Sequence, residues 1–390
     1  MKNNISDRAA GVGESATLAF SMKAKKMQEQ GEKVINLTVG EPDFNTPGYI
    51  IAAAKKALDE GKTKYTATGG VVALRTAICD KLKRDNGLVY TPGQIVVANG
   101  AKQAIFNATM ALVNPGDEVI IIAPYWVTYP ELVKFAGGVP VVVETRQDNG
   151  FKITQEQISK AITKKTKAII INSPNNPTGA VYSELELRAL AGVIEKADIW
   201  VISDEIYENL IYNGKHWSIA SHSDKMFAKT IVVNGMSKTY SMTGWRIGYT
   251  ACSAEMAAAI ENMQSHTTGN INTVTQYAGT EALEGSGGGK FLRDMISEFD
   301  KRRKYMVERL SGMSNITFSI PDGAFYVMVN VGKIGNGKAI AMELLDKAKL
   351  AVVPGEAFGA PDYIRLCYTV SMADIKAGLD ALEVYLKQKK

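Results

Sequence analysis

Seven short apolar runs punctuate the middle of the chain: QIVVANG (94–100), EVIIIAP (118–124), VPVVVET (139–145), KAIIINS (167–173), IWVISDE (199–205), TIVVNG (230–235) and RIGYTAC (246–252). Several are apolar on consecutive positions, the pattern of strands covered on both faces. Between many of them lie stretches with helical periodicity, such as AKQAIFNATMALV (101–113) and ELELRALAGVIEKA (184–197). Strand and helix in alternation predict an α/β fold of three layers, with helices on both faces of a mostly parallel, seven-stranded sheet. Ligands of such sheets bind beyond the carboxyl ends of the strands. That rule singles out Asn99–Lys102, Pro124–Trp126, Ser173–Gly179, Asp204–Tyr207 and Gly235–Lys238.

Near residue 296 the pattern changes. A charged helix, SEFDKRRKYMVERLSG (297–312), leads to strand-like ITFSI and AFYVMVNV, helix KAIAMELLDKA, strands LAVVPG and YIRLCYTV, and a last helix. This is a smaller α+β unit. A helix around 16–30 and the segment INLTVGEPDF (35–44) are expected to pack with it. The predicted division is a large domain over 48–295 and a small domain built from both chain ends, 1–47 and 296–390. A length of 390 residues suits two domains better than one core.

Charge and cysteine usage exclude several function classes. The net charge of +5 is small and scattered over KAKK (23–26), KLKR (81–84), TKKTK (163–167) and KRRK (301–304), which are expected to be solvated helix faces rather than a nucleic-acid surface. No apolar run approaches the ~18 residues that span a bilayer, so no membrane partner is expected. Cys79, Cys252 and Cys367 are odd in number and outside any CxxC, and only three histidines are present, so neither disulfides nor a metal site is expected. The first twenty residues lack the apolar core of a signal peptide, and the expected location is the cytoplasm. GSGGGK (285–290) imitates a phosphate loop, but Phe291 follows its lysine and a helix precedes it. A loop at a helix end is the expected structure.

The strand ends carry a different chemistry. SPNNPTG (173–179) presents Asn176 in a rigid turn. DEIY (204–207) places a carboxylate at the end of an apolar strand, where it needs a cationic partner, and a phenol three residues on. NGMSKTYSMTGWRIGY (234–249) adds Lys238 and Arg246. An aromatic cofactor with a ring nitrogen, a phenolic oxygen, an aldehyde and a phosphate uses all five groups. Those features describe pyridoxal 5′-phosphate.

Ten segments in order give the chain a resemblance to class I aminotransferases of fold-type I, in the bacterial aspartate aminotransferase branch. They are VGEPDFNTP (39–47), GKTKYT (61–66), GAKQAIFN (100–107), PYWVTYPE (124–131), NSPNNPTGA (172–180), SDEIYE (203–208), SKxxxMTGWRIGY (237–249), PDGAFY (321–326), VVPG (352–355) and IRLCY (364–368). The resemblance implies that Lys238 forms the Schiff base and shuttles the substrate's α-proton. It implies that Asp204 keeps the ring nitrogen protonated, and that Tyr207 and Asn176 hold the phenolic oxygen. Arg246 and the backbone N–H groups of Ala101 and Lys102 would hold the phosphate, and Trp126 would stack on the ring. Tyr65 would reach the phosphate of a neighbouring subunit, implying a homodimer with shared sites. For substrate, the resemblance implies that Arg365 clamps the α-carboxylate, assisted by the Gly40 N–H, and that Lys102 meets a distal carboxylate.

The implied reaction is a ping-pong transamination between an L-amino acid, with L-aspartate favoured by Lys102, and 2-oxoglutarate. Aromatic amino acids or prephenate as substrates, and a lyase on the same scaffold, remain open alternatives. A ligand-sensing regulator would need a DNA-binding module ahead of VGEPDF. Two positions depart from the wider pattern: Gly235 replaces a serine that gives the phosphate a hydroxyl, and Tyr129 stands where another branch has a histidine behind the acid.

Overall fold

The structure is a computed structural model that describes residues 5–13 and 16–389. Its largest element is a seven-stranded sheet. In chain order the strands are β1 (Ile35–Asn36), β2 (Ile95–Ala98), β3 (Glu118–Ala123), β4 (Val139–Glu144), β5 (Thr166–Asn172), β6 (Trp200–Asp204), β7 (Thr230–Gly235) and β8 (Gly248–Ala251), of which β2 to β8 build this sheet in the order β2-β8-β7-β6-β5-β3-β4. All its pairings are parallel except the two made by β8. The consecutive apolar positions of β2, β5, β6 and β7 are buried because helices cover both faces. Ile170, Ile202 and Val233 pack with Ala104 and Ile105 on one side, and Ile169, Ile171 and Val201 pack with Leu187 and Ile194 on the other.

The remaining strands are β9 (Thr317–Phe318), β10 (Tyr326–Asn330), β11 (Leu350–Ala351), β12 (Val353–Pro354) and β13 (Tyr363–Cys367). Four of them form an antiparallel sheet, β12-β13-β10-β9, and β1 pairs in parallel with β11. The amino-terminal segment thus joins the carboxyl-terminal one: the Cys367 N–H donates to Leu37 O at 2.9 Å. The long helix Gly288–Ser311 buries Met295, Phe299, Met306 and Leu310 in the same core as Val327, Val329, Ile364 and Leu366 of β10 and β13. Among the described residues no helix is long and apolar enough to cross a membrane.

Two local expectations are corrected. The basic runs are not uniformly solvated. Lys81 is 4% exposed and ion-paired with buried Glu208, and Arg302 is buried against Asp43 at 2.9 Å. Within GSGGGK only residues 285–287 form a turn; Gly288–Lys290 already belong to the long helix, whose first turn packs on Tyr49 and Tyr240. All three cysteines are free and buried.

Candidate active site

The carboxyl ends of β2, β3, β5, β6 and β7 open onto a cavity of about 420 Å³. Ala101, Lys102, Trp126, Asn176, Asp204, Tyr207, Lys238 and Arg246 line it from the large sheet, and Gly40, Tyr326 and Arg365 line it from the other side. Of the residues to which the resemblance gives a role toward cofactor or substrate, Tyr65 alone is not among those lining it. It is 97% exposed, in the loop after the helix Gly48–Asp59.

Asp204 ends β6 and is 4% exposed. Its Oδ2 accepts from Tyr129 Oη at 2.6 Å and its Oδ1 from the Ile206 N–H at 3.3 Å. Burial pushes its carboxyl up to about 6, against the two hydrogen bonds. Tyr129 therefore does not withdraw support from the acid; it supplies a donor of its own. Trp126 meets Tyr129 edge to face at 5.4 Å, so one short helix start places both rings.

Lys238 follows β7 by three residues. Its Nζ donates to Gly40 O at 2.6 Å, and burial brings its pKa down to about 8, with Glu41 and Cys367 opposing and Arg246 and Arg365 reinforcing the drop. Glycine at 235 has a steric reason. A Cβ there would stand 2.7 Å from Ile247 O and 2.9 Å from Gly248 Cα, across the β7–β8 pair.

Arg365 lies in β13 and is buried. It donates to Asn176 Oδ1 and to Thr38 O, each at 2.9 Å, and its guanidinium stacks 4.4 Å from the Tyr326 ring centroid. Its Nε is buried without a hydrogen-bond partner, so one edge of the fork is left for another acceptor. Tyr326 Oη is also 2.8 Å from Tyr207 Oη, which ties the phenol after β6 to the second sheet. The sequence motif PDGAFY contains Tyr326 but gave no hint of this role.

At the opposite end, Arg246 adopts φ 55° and lies across the start of the helix Ala101–Leu112. It donates to Thr243 O at 2.9 Å and to Asn99 O at 3.3 Å. The first N–H groups of that helix have no intrahelical acceptor, which makes its start an anion site. Gly100 caps it at φ 81°, and a Cβ there would stand 2.6 Å from Arg246 Nη2. Gly100→Ala is therefore expected to lower the unfolding free energy by about 1–3 kcal/mol for its positive-φ, extended backbone alone. Denaturant unfolding reads the loss, and an unchanged midpoint would refute the argument. Lys102, two positions on, holds its Nζ 5.2 Å from the Trp126 ring centroid; partial burial, then repulsion from Arg246, lowers its pKa.

The sequence profile of the family described as "Aminotransferase class I and II" matches residues 32–382. The chain belongs to that family. It is similar to a curated aspartate aminotransferase of Bacillus sp. (strain YM-2), 45% identical over 99% of this chain and 100% of the relative. A probable aspartate/prephenate aminotransferase of Aquifex aeolicus is 43% identical with full coverage of both chains. Among solved structures, the Thermus thermophilus aspartate aminotransferase with maleate superposes with a TM-score of 0.96 at 41% identity, covering 98% of this chain and 100% of that one. The aminotransferase fold and activity follow from these likenesses, and the family implies pyridoxal phosphate as cofactor.

Proposed function

We propose that this aminotransferase exchanges the amino group of L-aspartate with 2-oxoglutarate in a ping-pong cycle, using pyridoxal phosphate held in the 420 Å³ cavity. The observation that carries the reading is Lys238: a lysine amine brought down to about 8, set among a buried acid, a buried arginine and a helix start. The donor set fits the cofactor. Arg246 and the Ala101 and Lys102 N–H groups would hold its phosphate, Gly100 leaves room for that arginine, and Lys238 would hold its aldehyde carbon. Tyr207 and Asn176 would meet its phenolic oxygen, and Trp126 would cover its ring face. When bound, pyridoxal phosphate supplies an electron sink for the pair released as the substrate's Cα–H bond breaks.

The chain's own residues do the rest. Lys238, once free, would accept the proton from the substrate's Cα and return it to the cofactor's former aldehyde carbon, on the other side of the shared nitrogen. The Asp204 carboxylate, backed by Tyr129, holds a proton at the ring nitrogen. Arg365 binds the α-carboxylate through its fork, with the Gly40 N–H as a second donor. Lys102, at the rim beside Trp126, meets the distal carboxylate. In the same proposal the small domain, 1–47 with 296–390, contributes Arg365 and Gly40, while 48–295 contributes the cofactor site. Tyr65, exposed in one chain, serves the site of a second copy in a homodimer.

In the loaded protein, L-aspartate added without an acceptor is expected to change the visible absorption, and 2-oxoglutarate to restore it. A spectrum that ignores aspartate overturns the substrate assignment. A second reading, with prephenate accepted as well, is favoured by relatives of 42–44% identity named aspartate/prephenate aminotransferases. Restoration by prephenate after aspartate would establish it.

A further inference from the structure

Glu205 follows Asp204 but does not line the cavity; its carboxylate is buried in a separate polar cluster. Oε1 accepts from Ser203 Oγ at 2.8 Å and Ser218 Oγ at 2.6 Å, and Oε2 is 3.0 Å from His216 Nε2. Glu208 is ion-paired with Lys81 and accepts from Asn86 Nδ2 at 2.9 Å. Ligand atoms of Glu205, Glu208 and His216 lie within 4.8 Å of one another. A divalent cation is not needed there, because the Lys81 ammonium is already seated on Glu208.

Two buried carboxylates thus face one permanent cation. Charge balance asks for a second, and His216 is the side chain placed to supply it. Left uncompensated, the Glu205 charge would act on its neighbour Asp204 and favour the neutral acid. We infer that protonated His216 is a positioning residue for Asp204: it cancels the charge of Glu205, so that Asp204 faces the cavity as a carboxylate. The catalytic meaning of this rests on the reading of Asp204 as the partner of the ring nitrogen.

The surroundings support the assignment. Burial alone would lower the His216 pKa, but the charge and hydrogen bond of Glu205, then Glu208, outweigh it and raise it, with Lys81 opposing. Around Asp204, burial and the Glu205 charge favour the neutral acid, while Tyr129, the Ile206 N–H and Lys238 favour the carboxylate. Tyr90, in the segment before β2, and Tyr249, on β8, feel the Glu205 charge; burial pushes both phenols up and they stay neutral.

The test is a titration of the full-length chain by NMR, with the Asp204 carboxyl resonance assigned by its loss in Asp204→Asn. In the unaltered chain the His216 imidazole should titrate above the ordinary value near 6.5, and a midpoint at or below that value overturns the inference. His216→Gln keeps a donor for Glu205 but removes the charge, and should move the Asp204 midpoint upward by about one pH unit. The double variant Glu205→Gln with His216→Gln should bring it back. A purely structural role for His216 would leave the double variant as displaced as the single one, which would also overturn the inference. In the loaded enzyme the acid limb of kcat against pH should follow the Asp204 midpoint. If the midpoint moves and that limb does not, the charge relationship stands and the assignment of Asp204 to the ring nitrogen falls.

Discussion

Lys238→Ala is expected to reduce turnover by roughly 10⁴-fold or more, since one side chain serves as both nucleophile and proton carrier. The loss should fall on kcat, with the chain still folded. Both parts follow from where the amine sits. A pKa of about 8 leaves roughly one lysine in four neutral at pH 7.5, against about one in a thousand for an ordinary lysine. That neutral fraction is what makes the amine reactive. The same burial that lowers the pKa is a cost to folding, fully present below about pH 8 and relieved progressively as pH rises from there to the ordinary lysine value of 10.5. Lys238 anchors little in return: its one protein hydrogen bond is to Gly40 O. Alanine therefore removes a desolvated charge at the edge of a cavity rather than a piece of core. Retained turnover, or loss of activity only through unfolding in a thermal melt, would contradict the account.

The large sheet was legible because most of its strands are buried on both faces, so each of those appears as an unbroken apolar run; the edge strand β4 is as apolar although partly exposed. The run RIGYTAC shows where that reading fails. The strand begins at Gly248, because Arg246 adopts a positive φ and turns the chain onto the anion end of the cavity. That β8 runs opposite to its neighbours is invisible to hydrophobicity, since direction leaves no mark on burial. The strand-end rule collected Asn176, Asp204, Tyr207, Trp126 and Lys238 from one sheet. Arg365 arrives from another sheet and Gly40 from the loop after β1, and only a resemblance could attach them to the same cavity. Tyr326 was not legible as a site residue, because a phenol on an apolar stretch reads as core until its hydroxyl partner is known; Tyr129 was placed behind the acid by the resemblance, but only as the absence of a histidine and not as a donor. The buried pairs Lys81–Glu208 and Arg302–Asp43 were missed for a related reason: a charge run says nothing about which of its members turns inward.

Asp204→Asn is expected to move stability and activity in opposite directions. Burial raises the Asp204 carboxyl from an ordinary 3.8 to about 6. For an acid raised on folding, the penalty is absent where both states are protonated, below about pH 4. It grows as pH rises and is complete above about 6. Its size, at 1.36 kcal/mol per pH unit, is about 3 kcal/mol. Asparagine carries no charge to desolvate and keeps one oxygen for the Tyr129 hydroxyl; its amide nitrogen gives up only the longer 3.3 Å contact with the Ile206 N–H, a smaller loss than the charge penalty. The variant without cofactor should therefore unfold at higher denaturant than the parent at pH 7.5, and that advantage should vanish near pH 4. Turnover should fall by on the order of 10²–10³-fold, the range for loss of one preorganised electrostatic partner. A carboxylate kept at the end of β6 solely to cap the turn that follows would give the reverse pattern: stability lost with the charge, and activity lost only with the fold. A gain in stability alongside a collapse in kcat is the signature of a buried charge retained for chemistry.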